Sequence, residues 1–170
     1  KGVSVITAHT EHPDKVTDFS YSRVHFDVTE GSVISNDTRQ VEDEMDFLGG
    51  IGRSFKIMAE HDVTDPFAPE SPLVINTGCL TGTQFMTGLR TYFTGYSPLK
   101  RTTAGMPMPA WSAMSGSFGR KFSYTGLGDL VITGRADIPK ILVIKQSDDG
   151  PKFSLVDAPG HLAGSRVRER

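Results

Sequence analysis

The sequence predicts an α+β domain made mostly of short β-strands with a few short helices, and three observations carry that expectation. Val24, Phe26 and Val28 alternate with His25 and Asp27, the period-two pattern of a strand with one buried face. Compact aliphatic blocks at 73–75, 129–133, 139–145 and 152–156 are bounded by Gly, Pro and Asp, as strands are. The 170 residues, 37% hydrophobic and 22% charged, suffice for one core, and no repeat or linker divides them.

Residues 1–20 have little regular pattern. Val3, Val5 and Ile6 suit a brief strand, but the polar HTEHPD that follows reads as an extension. His9 and His12 lie three apart with no third ligand near them, so they read as surface histidines. The strand around Val24–Val28 turns at Thr29-Glu30-Gly31 and returns through Ser32-Val33-Ile34. His25 falls on its polar face and is expected to be solvated.

A helix is predicted next, capped by Asn36 or Asp37, with Val41, Met45 and Leu48 on one face and Glu42 and Glu44 near its positive end. It meets Gly49-Gly50-Ile51-Gly52, three glycines that would cost a helix about 2–3 kcal/mol relative to Ala. A break, or a close approach of backbone to something else, is expected there. A second helix is predicted over Arg53–Glu60 with Phe55, Met58 and Ala59 inward.

After DPFAPESP, Leu73-Val74-Ile75 reads as a core strand. The stretch from Gly78 to Gly119 holds seven glycines and many hydroxyls, together with Arg90, Lys100 and Arg101. Periodicity survives there only locally, at Leu89, Thr91 and Phe93. Such a chain is ordered only if other backbone or a bound partner satisfies its polar groups. Its glycines serve either as turns between short strands or as a cradle for phosphates or a planar heterocycle, with Arg90 offering a rigid donor fork. A short helix over 118–124 follows, then the last three strands, with Asp148-Asp149-Gly150 as a hairpin turn.

Composition excludes several classes. The net charge of −2 and the lack of a basic stripe argue against nucleic-acid binding, and Arg166, Arg168 and Arg170 read as a solvated terminus. One cysteine, Cys79, makes neither a disulfide nor an all-cysteine metal or iron–sulfur site, and it reads as a small buried thiol rather than a nucleophile. Ile141–Ile144 is too short an apolar run to cross a bilayer, and no secretory leader is visible, so a cytoplasmic setting is expected. There is no G-x-x-x-x-G-K-[ST], H-E-x-x-H or G-x-S-x-G motif, and Gly116-Ser117-Phe118-Gly119 lacks the full dinucleotide spacing.

Several blocks, in order, resemble the N-terminal domain of the tungsten-containing aldehyde ferredoxin oxidoreductases: RVHFDVTEG from Arg23, FLGGIG, DPFAPESPLVINTGCLTGT, GLR with YSPL, and SGSFG with TGLGDLVITGRADIP. The similarity runs from about residue 22 to residue 158, leaving 1–21 as an extension and 159–170 as a tail leading to further domains. The resemblance implies two β-sheets related by a pseudo-twofold, on which the paired pterins of a tungsten or molybdenum cofactor lie. Gly88-Leu89-Arg90 matches the family's G-x-R segment, which implies for Arg90 a place between a pterin and a [4Fe–4S] cluster. Ala113-Met114-Ser115-Gly116-Ser117 matches the family's A-N-S-G-G segment, with Met114 where Asn is expected. The carbonyl at that position is implied to meet a magnesium bridging the pterin phosphates, a contact that needs no particular side chain. The connection TTAGMPMPAW is longer than the family's usual one.

The cluster cysteines and the acid and histidine groups near the metal belong to later domains of the family. The expected role is therefore the cofactor-binding domain or subunit of an enzyme that oxidises aldehydes to carboxylic acids with ferredoxin as acceptor, inactive as an isolated chain. The alternative is a structural or assembly protein that keeps the fold without cofactor. Expected partners are the remaining domains or subunits, ferredoxin and a small aldehyde or related acid, with neither nucleic acid nor membrane.

Overall fold

The computed structural model describes residues 20–40, 47, 49–82 and 88–160. The expected strand at 3–6, His9 and His12, the helix face at 41, 45 and 48, and the tail arginines lie outside these residues. The described elements are β1 (Ser20–Asp27), β2 (Ser32–Gln40), α1 (Gly50–Ala59), β3 (Leu73–Thr77), β4 (Thr91–Arg101), β5 (Pro107–Met114), α2 (Ser117–Ser123), β6 (Leu127–Thr133), β7 (Lys140–Ser147) and β8 (Gly150–Asp157). They form the expected α+β fold with two sheets and short helices: a six-stranded sheet ordered β2-β1-β6-β3-β4-β5, and the β7-β8 hairpin. Only β1 and β6 run parallel; the other neighbours are antiparallel.

The central strands are buried on both faces, so their composition departs from simple alternation. Val24, Phe26, Ile75, Leu127 and Leu130 join Phe122 of α2 on one face, where Leu142, Ile144, Phe153 and Leu155 of the hairpin pack against them. The Phe26 and Phe153 rings stack with centroids 5.7 Å apart. On the other face Ile57 and Met58 of α1 meet Val74, Val131 and Tyr96. The Tyr96 hydroxyl donates to the Met58 carbonyl at 2.9 Å, tying the end of α1 to β4.

Three expectations are corrected. Asn36 and Asp37 do not cap a helix; they lie in β2, opposite Val24 and Arg23. Pairing with β1 satisfies their backbone groups, and an edge strand tolerates polar side chains. The second helix begins at Gly50 rather than Arg53, and its buried face is Gly50, Arg53, Ser54, Ile57 and Met58, while Phe55 and Ala59 are exposed. A charged residue turned inward displaced the apolar face by part of a turn. His25 is half-buried rather than solvated, because Thr133 of β6 and His61, just after α1, lie beside it: its Nε2 is 2.8 Å from Thr133 Oγ1 and its ring 6.2 Å from that of His61.

The close fit of β6 on β1 depends on a missing side chain. A Cβ at Gly128 would collide with the Tyr21 ring, which lies beneath the Arg53 guanidinium at 4.2 Å. The Gly128→Ala variant should therefore lose about 1–3 kcal/mol, as overpacked cores do. Urea unfolding measures it, and an unchanged midpoint would show that Tyr21 yields freely.

Candidate functional site

The antiparallel registers bring the glycine-rich segments to one end of the six-stranded sheet. Thr77 pairs with Thr91 and Thr91 with Met114, so Gly78, Arg90 and Ser115-Gly116 follow or precede neighbouring strand ends. Gly49 bridges Gly78 just before α1 begins, and the turn before β6 ends at the same edge, where Ser22 pairs with Leu127. Segments far apart in sequence thus make one corner.

Buried charge holds α1 to this corner. Asp129 is fully buried on β6 and receives Arg53 Nε at 2.7 Å and Arg23 Nε at 3.1 Å, one guanidinium from α1 and one from β1. Arg53 also donates to the carbonyls of Thr77, at 3.3 Å, and Gly128, at 3.4 Å. Its planar fork is suited to linking several acceptors at once. Arg23 reaches Glu60 at 3.8 Å. Asn76 donates to the Gly50 carbonyl at 3.0 Å, which fixes the start of the helix to the end of β3. Gly49 has φ 117°, and a Cβ there would stand 2.7 Å from the Thr77 carbonyl and 3.0 Å from Arg53 NH1. The three-glycine break is therefore a close backbone approach, one of the two explanations the sequence allows.

Each sequence-predicted site residue can be placed. Arg90 is exposed and immediately precedes β4 rather than lying within a strand; Thr91 after it is fully buried. It makes no hydrogen bond or ion pair with the described residues. Met114 ends β5 and is exposed, and Gly116 precedes α2 with nothing within 4 Å of a Cβ placed on it. Cys79 is half-buried rather than fully buried, beside Gly78 on the same rim. Among the described residues, no three His, Cys, Asp or Glu side chains gather to hold a metal. No described helix is long and apolar enough to cross a membrane.

Sequence reading missed Arg53, Asp129 and Arg23, because charged residues inside a core show no periodic signature. It also missed a legible signal. Between Glu70 and Asp129 there is no Asp or Glu, while Arg90, Lys100, Arg101, Arg120 and Lys121 all fall there. The carboxylate-free stretch supplies β3, β4, β5 and α2, and so most of the corner.

The profile of the aldehyde ferredoxin oxidoreductase N-terminal domain matches residues 23–169. The chain belongs to that family. Among its relatives, the tungsten-containing aldehyde ferredoxin oxidoreductase of Pyrococcus abyssi is 34% identical over 119 residues, covering 69% of this chain and 18% of that protein. The Pyrococcus furiosus enzyme is 33% identical over 125 residues, covering 72% and 19%. A solved chain from the active site complex BamBC of benzoyl coenzyme A reductase, in complex with 1,5-dienoyl-CoA, superposes with a TM-score of 0.68 at 26% identity. That match covers 86% of this chain and 21% of the other. This aldehyde ferredoxin oxidoreductase N-terminal domain thus spans about a fifth of the length of the relatives it matches.

At the opposite end of β1 the domain carries a titratable cluster apart from the corner. Burial lowers the pKa of His25, His61 adds repulsion, and Asp27 opposes both. Burial also lowers His61, against the pull of Glu60. Asp27 is held low chiefly by the Glu30 amide, which donates to it at 2.9 Å. Both folded histidines bind protons less readily than the unfolded ones, whose pKa is 6.5. Their contribution is thus fully present above about pH 6.5 and is lost as the pH falls from there through the lowered folded values. Unfolding free energy should drop between pH 7.5 and 5.5, and His25→Asn with His61→Asn should flatten that drop. An equal drop in the double variant would assign the acid sensitivity elsewhere.

Proposed function

We propose that this chain is the cofactor-binding part of a tungstopterin (or molybdopterin) oxidoreductase that converts aldehydes to carboxylic acids and passes the electrons to ferredoxin. The observation that carries this reading is the corner itself: Gly49, Gly78, Arg90 and Met114–Gly116 meet at one sheet end, and all of them but Gly49 belong to the stretch free of carboxylates. Family membership and the tungsten named for its relatives support it.

The residues present fit an anionic, phosphate-bearing pterin cofactor. Arg90 has its guanidinium uncommitted to the described residues, Gly116 leaves open space, and the nearby chain offers cations without competing acids. Arg90 would hold the pterin by charge-assisted hydrogen bonds, and a [4Fe–4S] cluster would be carried by residues outside this chain. The Met114 carbonyl would hold the magnesium of the cofactor, with Ser115 and Gly116 completing the loop. When bound, such a cofactor would supply the two-electron redox chemistry by which an aldehyde and water become a carboxylic acid and two protons. The described residues offer position and field rather than proton transfer.

One observation favours a second reading, a structural or assembly protein without cofactor: Met114 lacks the amide that Asn would supply to the loop. Arg90→Lys in the full-length protein separates the two. Lys keeps the charge but loses the planar fork, so tungsten and pterin per chain should fall while the unfolding free energy moves by no more than about 0.5 kcal/mol. Unchanged metal content and unchanged cluster reduction would leave Arg90 as scaffold, and a full-length protein without tungsten would favour the second reading.

A further inference from the structure

The β4–β5 edge of the sheet has a surface that the corner does not explain. Among the described strands, β5 is the last in the sheet and pairs with β4 alone. Its exposed side chains include Met108, Trp111 and Met114, and the turn before it exposes Met106. Leu99, near the tip, is 91% exposed and Trp111 53%. The tip is nonetheless hydrogen-bonded: the Thr102 N–H donates to the Met106 carbonyl at 2.8 Å, and Arg101 Nη1 to the Gly105 carbonyl at 2.9 Å. Lys100 and Arg101 supply positive charge there, and the whole hairpin lies in the carboxylate-free stretch.

This edge is a poor template for another strand. Pro107 and Pro109 bring no N–H groups to β5, a device that blunts edge pairing. A partner must therefore engage side chains, and Trp, Met and Arg are the types enriched where protein interfaces bury most. Cations with no neighbouring carboxylate select an acidic partner and steer its approach at low salt. Two tip cations are too few for the basic array that nucleic acid or an anionic membrane demands.

We propose that the β4–β5 edge docks an acidic electron-carrier protein, which lies along the edge from Lys100 and Arg101 and straddles it, meeting Trp111 on one face of β5 and Met114 on the other. The eight residues of β5 extend about 27 Å, comparable to a small domain. Met114 pairs with Thr91, so the far end of the edge stands next to Arg90 and the corner. The inference rests on the proposed function for the partner's task, not for the surface.

The test uses the full-length protein, with a ferredoxin of net negative charge as probe and benzyl viologen as small electron acceptor. Lys100→Glu, and Lys100→Glu with Arg101→Glu, should weaken ferredoxin binding roughly tenfold or more at low salt and flatten its salt dependence. Leu99→Ser, at a side chain too exposed to support the fold, should weaken binding with no change in salt dependence. Tungsten content, viologen-linked turnover and folding midpoint should stay as in the parent. Unchanged ferredoxin affinity in all three variants overturns the proposal. So does binding of RNA or phosphatidylserine vesicles in place of ferredoxin, or protection of the 107–114 amides from hydrogen exchange in the full-length protein alone. A full-length protein that lacks tungsten and viologen turnover refutes the proposed function, and direct ferredoxin binding still decides the surface.

Discussion

Asp129 is the constraint on which the corner depends. Its carboxylate lies inside the sheet and takes a guanidinium from α1 on one oxygen and one from β1 on the other. Burying three charged groups has a desolvation cost of several kcal/mol per ion, and only close geometry with further hydrogen bonds offsets it. That geometry is present: Arg53 reaches two more carbonyls and lies over Tyr21. Apolar residues of similar volume could pack as well. The arrangement instead fixes where α1 begins relative to the ends of β3 and β6.

That placement has consequences at the surface. With α1 anchored through Arg53 and Asn76, Gly49 comes within bridging distance of Gly78. The antiparallel pairings from β3 through β4 to β5 then bring Arg90 and Gly116 to the same rim. A guanidinium at this rim has no carboxylate in the surrounding chain segment to neutralise it. A positively biased, glycine-lined corner suits an anionic ligand, because its exposed backbone N–H groups and the Arg90 guanidinium can both donate to it.

How much of this the sequence discloses depends on what kind of interaction places each residue. The strand at Val24–Val28, the block at 73–75, the short helix after Gly116 and the final hairpin follow from local pattern and turn chemistry. The β4–β5 hairpin was hidden because Gly95, Pro107 and Pro109 interrupt its alternation. The continuation of β2 through Asn36 and Asp37 was hidden because strand pairing overrode capping preference. For the site, Arg90 and the Met114–Gly116 loop were visible through family resemblance, whereas their adjacency follows only from strand register. Arg53 inside α1 runs against the expectation that charge faces water, and only its partner on β6, 76 positions away, explains it.

The most direct test of the account is the unfolding free energy of Asp129→Asn measured in urea against the parent chain. An amide in place of the carboxylate removes the buried counter-charge that the two guanidiniums share, so a loss of about 3–5 kcal/mol is predicted. An unfolding free energy within about 0.5 kcal/mol of the parent would contradict it. In that case the corner would be held by its apolar packing, and the buried charges would be passengers.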